Sequence, residues 1–291
     1  MKRDIALVLS SGGARGFAHI GAIKVLEKEG YNIRSVAGTS MGALVGGIYA
    51  TGHLREFEEW VSSLDIREVL KLTDLTISKK GLVKGNKIIE KMKEIVPDMN
   101  IEDLPIPYCA VATDITNGSE KTFTSGKLFD AIRASISIPT VFQPFKTGDC
   151  YYVDGGVVNP VPINRVKRHD NDLLVVVAVN ANIPYGESEK VTAEAEDNKY
   201  LKQIKRLQAK MSNHIPKSRK DDIGIFNLTN RSISIMLNQI ALLTMENHRI
   251  DLMINISKDA FGTYDFYKAR EIIGEGEDAV RRALGQFHDN Q

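Results

Sequence analysis

Two cysteines in 291 residues, Cys109 and Cys150, are too few for a disulfide framework, and no cluster of His and Cys has the spacing of a zinc site. A reducing compartment fits, with both thiols as core filler, and neither a metal nor an organic cofactor is expected. Excess charge of one sign is missing too. The 38 basic and 37 acidic side chains leave a formal net charge of +1, which removes the electrostatic case for nucleic acid as a partner. Long apolar runs are also absent. Residues 5–9 are too short for a signal peptide, and residues 36–50 and 173–179 are glycine-broken or far below the roughly 20 residues of a spanning helix. The expectation is a cytoplasmic protein, with peripheral contact at a membrane surface left open.

What the chain does have is a hydrophobic fraction of 43% and an alternation of strand-like and helix-like segments. Strands are expected at residues 5–9, up to 37, 108–112, 151–153, 173–179 and 252–256. Helices are expected at 17–28, 43–50, in pieces over 54–96, and at 128–135, 231–249 and 267–284. This is the pattern of helices packed on a mostly parallel sheet. Between about 186 and 222 the composition turns charged. There Leu201, Ile204, Leu207, Met211 and Ile215 recur at helical spacing beside Lys199, Lys202, Lys205, Arg206 and Lys210. The segment reads as a charged helical insertion, its basic helix lying either on anionic headgroups or between water and core. No repeat or linker divides the chain, so residues 1–291 read as a single domain, closed by helices and a strand over 223–291.

Three segments carry chemistry. Gly38-Thr39-Ser40-Met41-Gly42 has the G-x-S-x-G form of a nucleophile elbow, set between a strand and a helix of small residues. Ser10-Ser11-Gly12-Gly13-Ala14-Arg15-Gly16 also lies between a strand and a helix, and consecutive glycines there can aim backbone N–H groups at one anion. It lacks the Lys-Ser ending of a nucleotide phosphate loop and the spacing of a dinucleotide fingerprint. Asp154-Gly155-Gly156 follows an apolar strand end, where a desolvated carboxylate can take a serine proton.

A serine–histidine–acid triad is the obvious alternative, and the six histidines speak against it. His169 falls in a charged run, His214 in the insertion, His248 on a helix and His288 in the tail. His19, beside the glycine loop, reads as a residue that orients the loop or packs. Asp114, the carboxylate most easily confused with Asp154, lacks the glycine turn and reads as a structural hydrogen-bonding residue.

The run from Gly12 to Gly21 (GGARGFAHIG), the Ser40 elbow and the Asp154-Gly155-Gly156 triplet resemble the signature blocks of the patatin-like phospholipase family. The stretch from Ala131 to Pro139 (AIRASISIP), with Phe142 and Pro144, resembles a fourth block, so the likeness spans residues 5 to about 166. The resemblance implies a three-layer α/β/α sandwich with a mostly parallel central sheet. It also implies a Ser-Asp dyad and calcium-independent hydrolysis of acyl esters in lipids. By position, Ser40 is the nucleophile, Asp154 the base, and Gly12, Gly13 and Ala14 the oxyanion donors. Arg15 is expected to steady the loop or meet a lipid phosphate. One departure stands out: family loops often begin Asp-Gly-Gly-Gly, whereas this one begins Ser10-Ser11-Gly12-Gly13.

Pro139 and Phe142, with Ile138, Val141 and Phe145, either wall an acyl-chain site or belong to ordinary core. The partner implied is a lipid or other acyl-ester substrate, and homo-oligomerisation stays open. Two other readings remain: a regulatory or binding protein that turns over little, and an acyltransferase.

Overall fold

The computed structural model describes residues 3–72, 85–139, 141–185 and 225–289. Eight strands form one sheet: β1 (Arg3–Leu9), β2 (Tyr31–Thr39), β3 (Tyr108–Asp114), β4 (Ser119–Phe123), β5 (Phe145–Thr147), β6 (Cys150–Asp154), β7 (Leu173–Ala181) and β8 (Leu252–Ser257). Their order is β5-β6-β3-β2-β1-β7-β8, with β4 paired to β3. The five strands from β3 through β8 in that order run parallel, and β4, β5 and β6 are antiparallel additions.

The helices are α1 (Ala18–Lys28), α2 (Met41–Ala50), α3 (Leu54–Ser63), α4 (Ile66–Leu72), α5 (Asn86–Lys93), α6 (Leu128–Ser135), α7 (Ile225–Glu246) and α8 (Ala269–Asp289). The period-2 alternation of side chains divides the core between the two faces of the sheet. Ile5, Leu7, Leu9, Val175, Val177 and Val179 join a large cluster with α1, α2 and α8. Ala6, Val8, Leu174 and Val176 face the other way, against Ala241 and Met245 of α7. Three layers result, as the resemblance implies. Ile20, Ile23 and Leu26 of α1 are wholly buried, each contributing about 1.5–3 kcal/mol relative to exposure.

Most expected elements are present, several of them longer than the sequence suggests. The second strand runs on to Thr39 rather than ending at residue 37, and α2 starts at Met41 rather than residue 43, so Ser40 alone makes the turn. Strands β4 and β5 were not foreseen. Both are short, and all of their residues are exposed or half-buried, so neither has the apolar alternation of a core strand. The charged insertion and its basic helix lie outside the described residues.

One detail of register positions the site. Ala110 and Val111 of β3 pair with both β2 and β4, and Ala112 to Asp114 pair with both β4 and β6. A strand has only two edges, so β2 and β6 share one edge of β3 in tandem. Thr39 lies opposite Val111 and Asp154 opposite Ala112. The end of β2 and the end of β6 therefore meet head-on, which brings Ser40 to Asp154 across 114 residues of sequence.

Candidate active site

The elbow is a strained turn held by close packing. Ser40 has φ 57° and ψ −124°, a conformation that L-residues adopt only when their surroundings enforce it. Enforcement comes from Gly42, where an added Cβ would lie 2.2 Å from the Leu9 carbonyl oxygen. The end of β1 and the first turn of α2 thus touch backbone to backbone. The outcome is a buried serine, 3% exposed, at the N-terminal and electropositive end of α2.

Ser40 Oγ donates to Asp154 Oδ2 at 2.5 Å. The other carboxylate oxygen, Oδ1, accepts the Gly156 N–H at 2.7 Å. Burial pushes the Asp154 carboxyl up to about 6, against the opposing pull of the Ser40 and Gly156 hydrogen bonds. An acid held near 6 is poised to accept a proton at neutral pH, which an ordinary aspartate near 3.8 does poorly. Among the described residues no imidazole hydrogen-bonds to either member of the pair. His19 Nε2 lies 2.9 Å from the Ser10 carbonyl, and its burial depresses the ring to about 4, so it stands neutral as a loop-orienting group.

The glycine loop folds against this pair. Gly13 adopts φ +57° at the start of a short 3-10 turn, Gly13–Phe17, that leads into α1. Among the described residues, neither Gly12 nor Gly13 has its N–H taken by a hydrogen bond. Ala14 differs from the expectation: its N–H donates to the Thr263 carbonyl at 2.9 Å. Of the three expected donors, two keep an unspent N–H and the third is committed to structure.

Arg15 is turned into the protein. It is 9% exposed, and its guanidinium donates to Asn180 Oδ1 at 2.9 Å and the Phe261 carbonyl at 2.7 Å, and reaches Thr263 Oγ1 at 3.4 Å. A guanidinium so occupied fastens the loop to the end of β7 and to the chain beyond β8. Asp114 accepts the Thr116 and Asn117 N–H groups and the Asn117 side-chain amide, shaping the β3–β4 turn, as its sequence context suggests.

Pro139 and Phe142 are half-buried and follow Ser137, whose carbonyl accepts the Asp154 N–H at 3.0 Å. They present apolar surface in the segment joined to the dyad, with Phe142 beside the Arg133 guanidinium at 5.9 Å. Sequence reasoning missed the supports: Thr113 Oγ1 donates to the Asp154 carbonyl at 2.9 Å, and Thr39 Oγ1 to the Asn159 carbonyl at 2.8 Å. Polar residues within otherwise buried strands were the available signal. Among the described residues no group of three or more His, Cys, Asp or Glu is arranged to hold a metal ion.

Comparison with known proteins places the chain in a family. The family model described as Patatin-like phospholipase matches residues 7–166. An uncharacterized NTE family protein of Mycobacterium tuberculosis is 33% identical, over 97% of this chain and 92% of its own. Neuropathy target esterase of Drosophila persimilis is 37% identical over 55% of this chain and 12% of its own length. A lysophospholipase of Yarrowia lipolytica is 35% identical over 61% of this chain and 13% of its own.

Proposed function

Since this chain belongs to the patatin-like phospholipase family, we propose that it is a serine acyl-ester hydrolase cleaving fatty-acyl esters of lipids through Ser40 and Asp154. The observation that carries the proposal is the 2.5 Å contact between a strained elbow serine and a buried carboxylate held near neutrality.

In the first step Ser40 Oγ passes its proton to Asp154 Oδ2 and attacks the ester carbonyl, giving a tetrahedral oxyanion. The N–H groups of Gly12 and Gly13 receive that charge, helped by the N-terminus of α2; such a donor commonly contributes about 10²–10³ in rate. The bond to the alcohol breaks, and Asp154 returns its proton to the departing alcohol, leaving an acyl-Ser40 ester. Water then attacks that ester, Asp154 takes its proton, and the fatty acid leaves as Ser40 is re-formed. Base and oxyanion donors are all protein groups, so we read the reaction as independent of calcium.

The names of the relatives, an esterase and a lysophospholipase, support acyl esters of lipids, lysophospholipids among them, as the substrate class. Half-buried Pro139 and Phe142 offer an apolar wall for the chain. Peripheral contact with a lipid surface belongs to the same reading. Among the described residues no helix is long and apolar enough to cross a membrane. Yet α7 leaves Leu228, Ile235, Met236, Leu242 and Leu243 exposed.

A fluorophosphonate probe should label the wild type at Ser40 and fail to label Ser40→Ala. Lipid profiling of both proteins by mass spectrometry should show products only with the former. Equal labelling of the two would refute the assignment of the nucleophile.

A further inference from the structure

The strained conformation of Ser40 requires its own N–H to be satisfied away from the regular ladder. Strand β2 pairs with β3 up to Thr39 opposite Val111, and there the chain swerves. A regular parallel ladder would carry the next amide straight to a β3 carbonyl. Here a side-chain hydroxyl stands between the two strands. Ser40 N–H donates to Ser135 Oγ at 2.9 Å, and Ser135 Oγ–H donates to the Val111 carbonyl at 2.5 Å. Ser135 is the last residue of α6 and is wholly buried.

The same helix end reaches the other half of the dyad. Two residues on, the Ser137 carbonyl accepts the Asp154 N–H. One rigid point, the C-terminal end of α6, thus fixes the backbones of both nucleophile and base. No other side chain bonds to the Ser40 backbone among the described residues.

We propose that Ser135 is a positioning residue for the acyl-transfer reaction: its hydroxyl, spliced between Ser40 N–H and the Val111 carbonyl, holds the elbow out of the sheet and in line with Asp154. The proposal rests on the hydrolase reading for its kinetic consequence, though not for its geometry. Without the hydroxyl, Ser40 N–H and Val111 C=O are both buried and unpaired, and the direct route to pairing them draws Ser40 toward the sheet. That movement lengthens the Ser40–Asp154 contact. Misplacement of a reacting group by about 1 Å commonly costs about 10²-fold in rate.

The test compares wild type, Ser135→Ala and Ser135→Cys, the last keeping the volume with a weak hydrogen-bonding group. Ser35→Ala serves as the control for loss of a buried hydroxyl, since Ser35 Oγ bonds the Lys167 carbonyl midway along β2, five residues before Ser40. With a soluble p-nitrophenyl ester, Ser135→Ala should lower kcat by about 10–100-fold at unchanged KM, and Ser35→Ala should leave both unchanged. Carbon NMR of the Asp154 carboxyl supplies a readout that needs no turnover. Losing the Ser40 hydrogen bond removes a contact that favours the carboxylate, so its titration should move upward in both Ser135 variants and stay put in Ser35→Ala. An Asp154 titration unmoved in Ser135→Ala and Ser135→Cys would overturn the proposal. A wild type that labels with no probe and cleaves no ester would instead overturn the hydrolase reading, and the NMR titration would still judge Ser135.

Discussion

Replacing Asp154 with asparagine should destroy catalysis and change the pH dependence of stability in a calculable way. The folded protein holds this carboxyl at about 6 instead of 3.8, so between those values the native state binds more protons than the unfolded chain. The sign follows: stability falls as pH rises through that window and then stays low. The size of the fall is about 3 kcal/mol, at about 1.4 kcal/mol per pH unit. The introduced carboxamide would keep an oxygen for the Gly156 N–H and offer one N–H to Ser40 Oγ, leaving its second N–H without an evident partner, at a cost of about 1 kcal/mol.

The variant should therefore be slightly less stable than wild type at pH 4 and more stable by about 2 kcal/mol at pH 8. His19 sharpens the comparison because it works in the opposite sense. Its ring is depressed from 6.5 to about 4, so stability rises with pH across nearly the same window. In the wild type the two slopes largely offset each other, and in Asp154→Asn the His19 slope stands exposed. Urea unfolding followed at half-unit steps from about pH 4 to 8 gives both curves, and their difference cancels every group the two proteins share. A difference curve flat in pH, or one that falls as pH rises, would refute the desolvated-carboxylate account.

Two further substitutions separate roles the site combines. Gly42→Ala places a methyl group 2.2 Å from the Leu9 carbonyl oxygen, where only backbone can give way; it should yield a misfolded or inactive protein, read by circular dichroism and probe labelling, and a fully active Gly42→Ala would disprove the close approach. Arg15→Lys loses the forked contacts to Asn180 and the Phe261 carbonyl, so it should cost about 1.5–3 kcal/mol in urea unfolding. If Arg15 only steadies the loop, kcat/KM should drop by the same factor for phosphate-bearing and neutral esters, and a drop confined to the phosphate-bearing ones would restore a headgroup contact.

Much of the fold was legible because its code is local. The unbroken apolar runs of β1 and β7, buried on both faces of the sheet, and the 3.6-residue spacing in α1 and α6 state their elements outright. The motifs also named Ser40 and Asp154 as a candidate pair. The register by which the chain brings them together was not legible. It depends on β6 occupying the length of β3 edge that β2 leaves free, a register between strands more than a hundred residues apart. The supports of the dyad were hidden for the same reason. Ser135 and Thr113 look like ordinary small polar residues until the strand or helix end facing each is known.

The Ser10-Ser11 start of the glycine loop, where the chain departs from the family pattern, is explained at this same level. Strand β1 pairs with β7 as far as Leu9 opposite Val177, and Ser10 N–H still donates to the Val177 carbonyl. The next amide on β7, Val179 N–H, would ordinarily bond the Ser10 carbonyl. That carbonyl has instead turned to the His19 ring, and Ser10 Oγ accepts the Val179 N–H at 3.0 Å while donating to the Ser11 carbonyl. Ser11 is tied in turn, its N–H to the Pro160 carbonyl and its carbonyl to the Asn180 side chain. A glycine at position 10 would leave Val179 N–H buried without a partner. The serine thus continues the ladder with its side chain while its backbone leaves the sheet, as Ser135 does for Ser40. At both loop starts a hydroxyl carries the sheet's hydrogen bonding one step past the strand, and that is what lets the backbone turn toward the reacting atoms without an unsatisfied amide behind it.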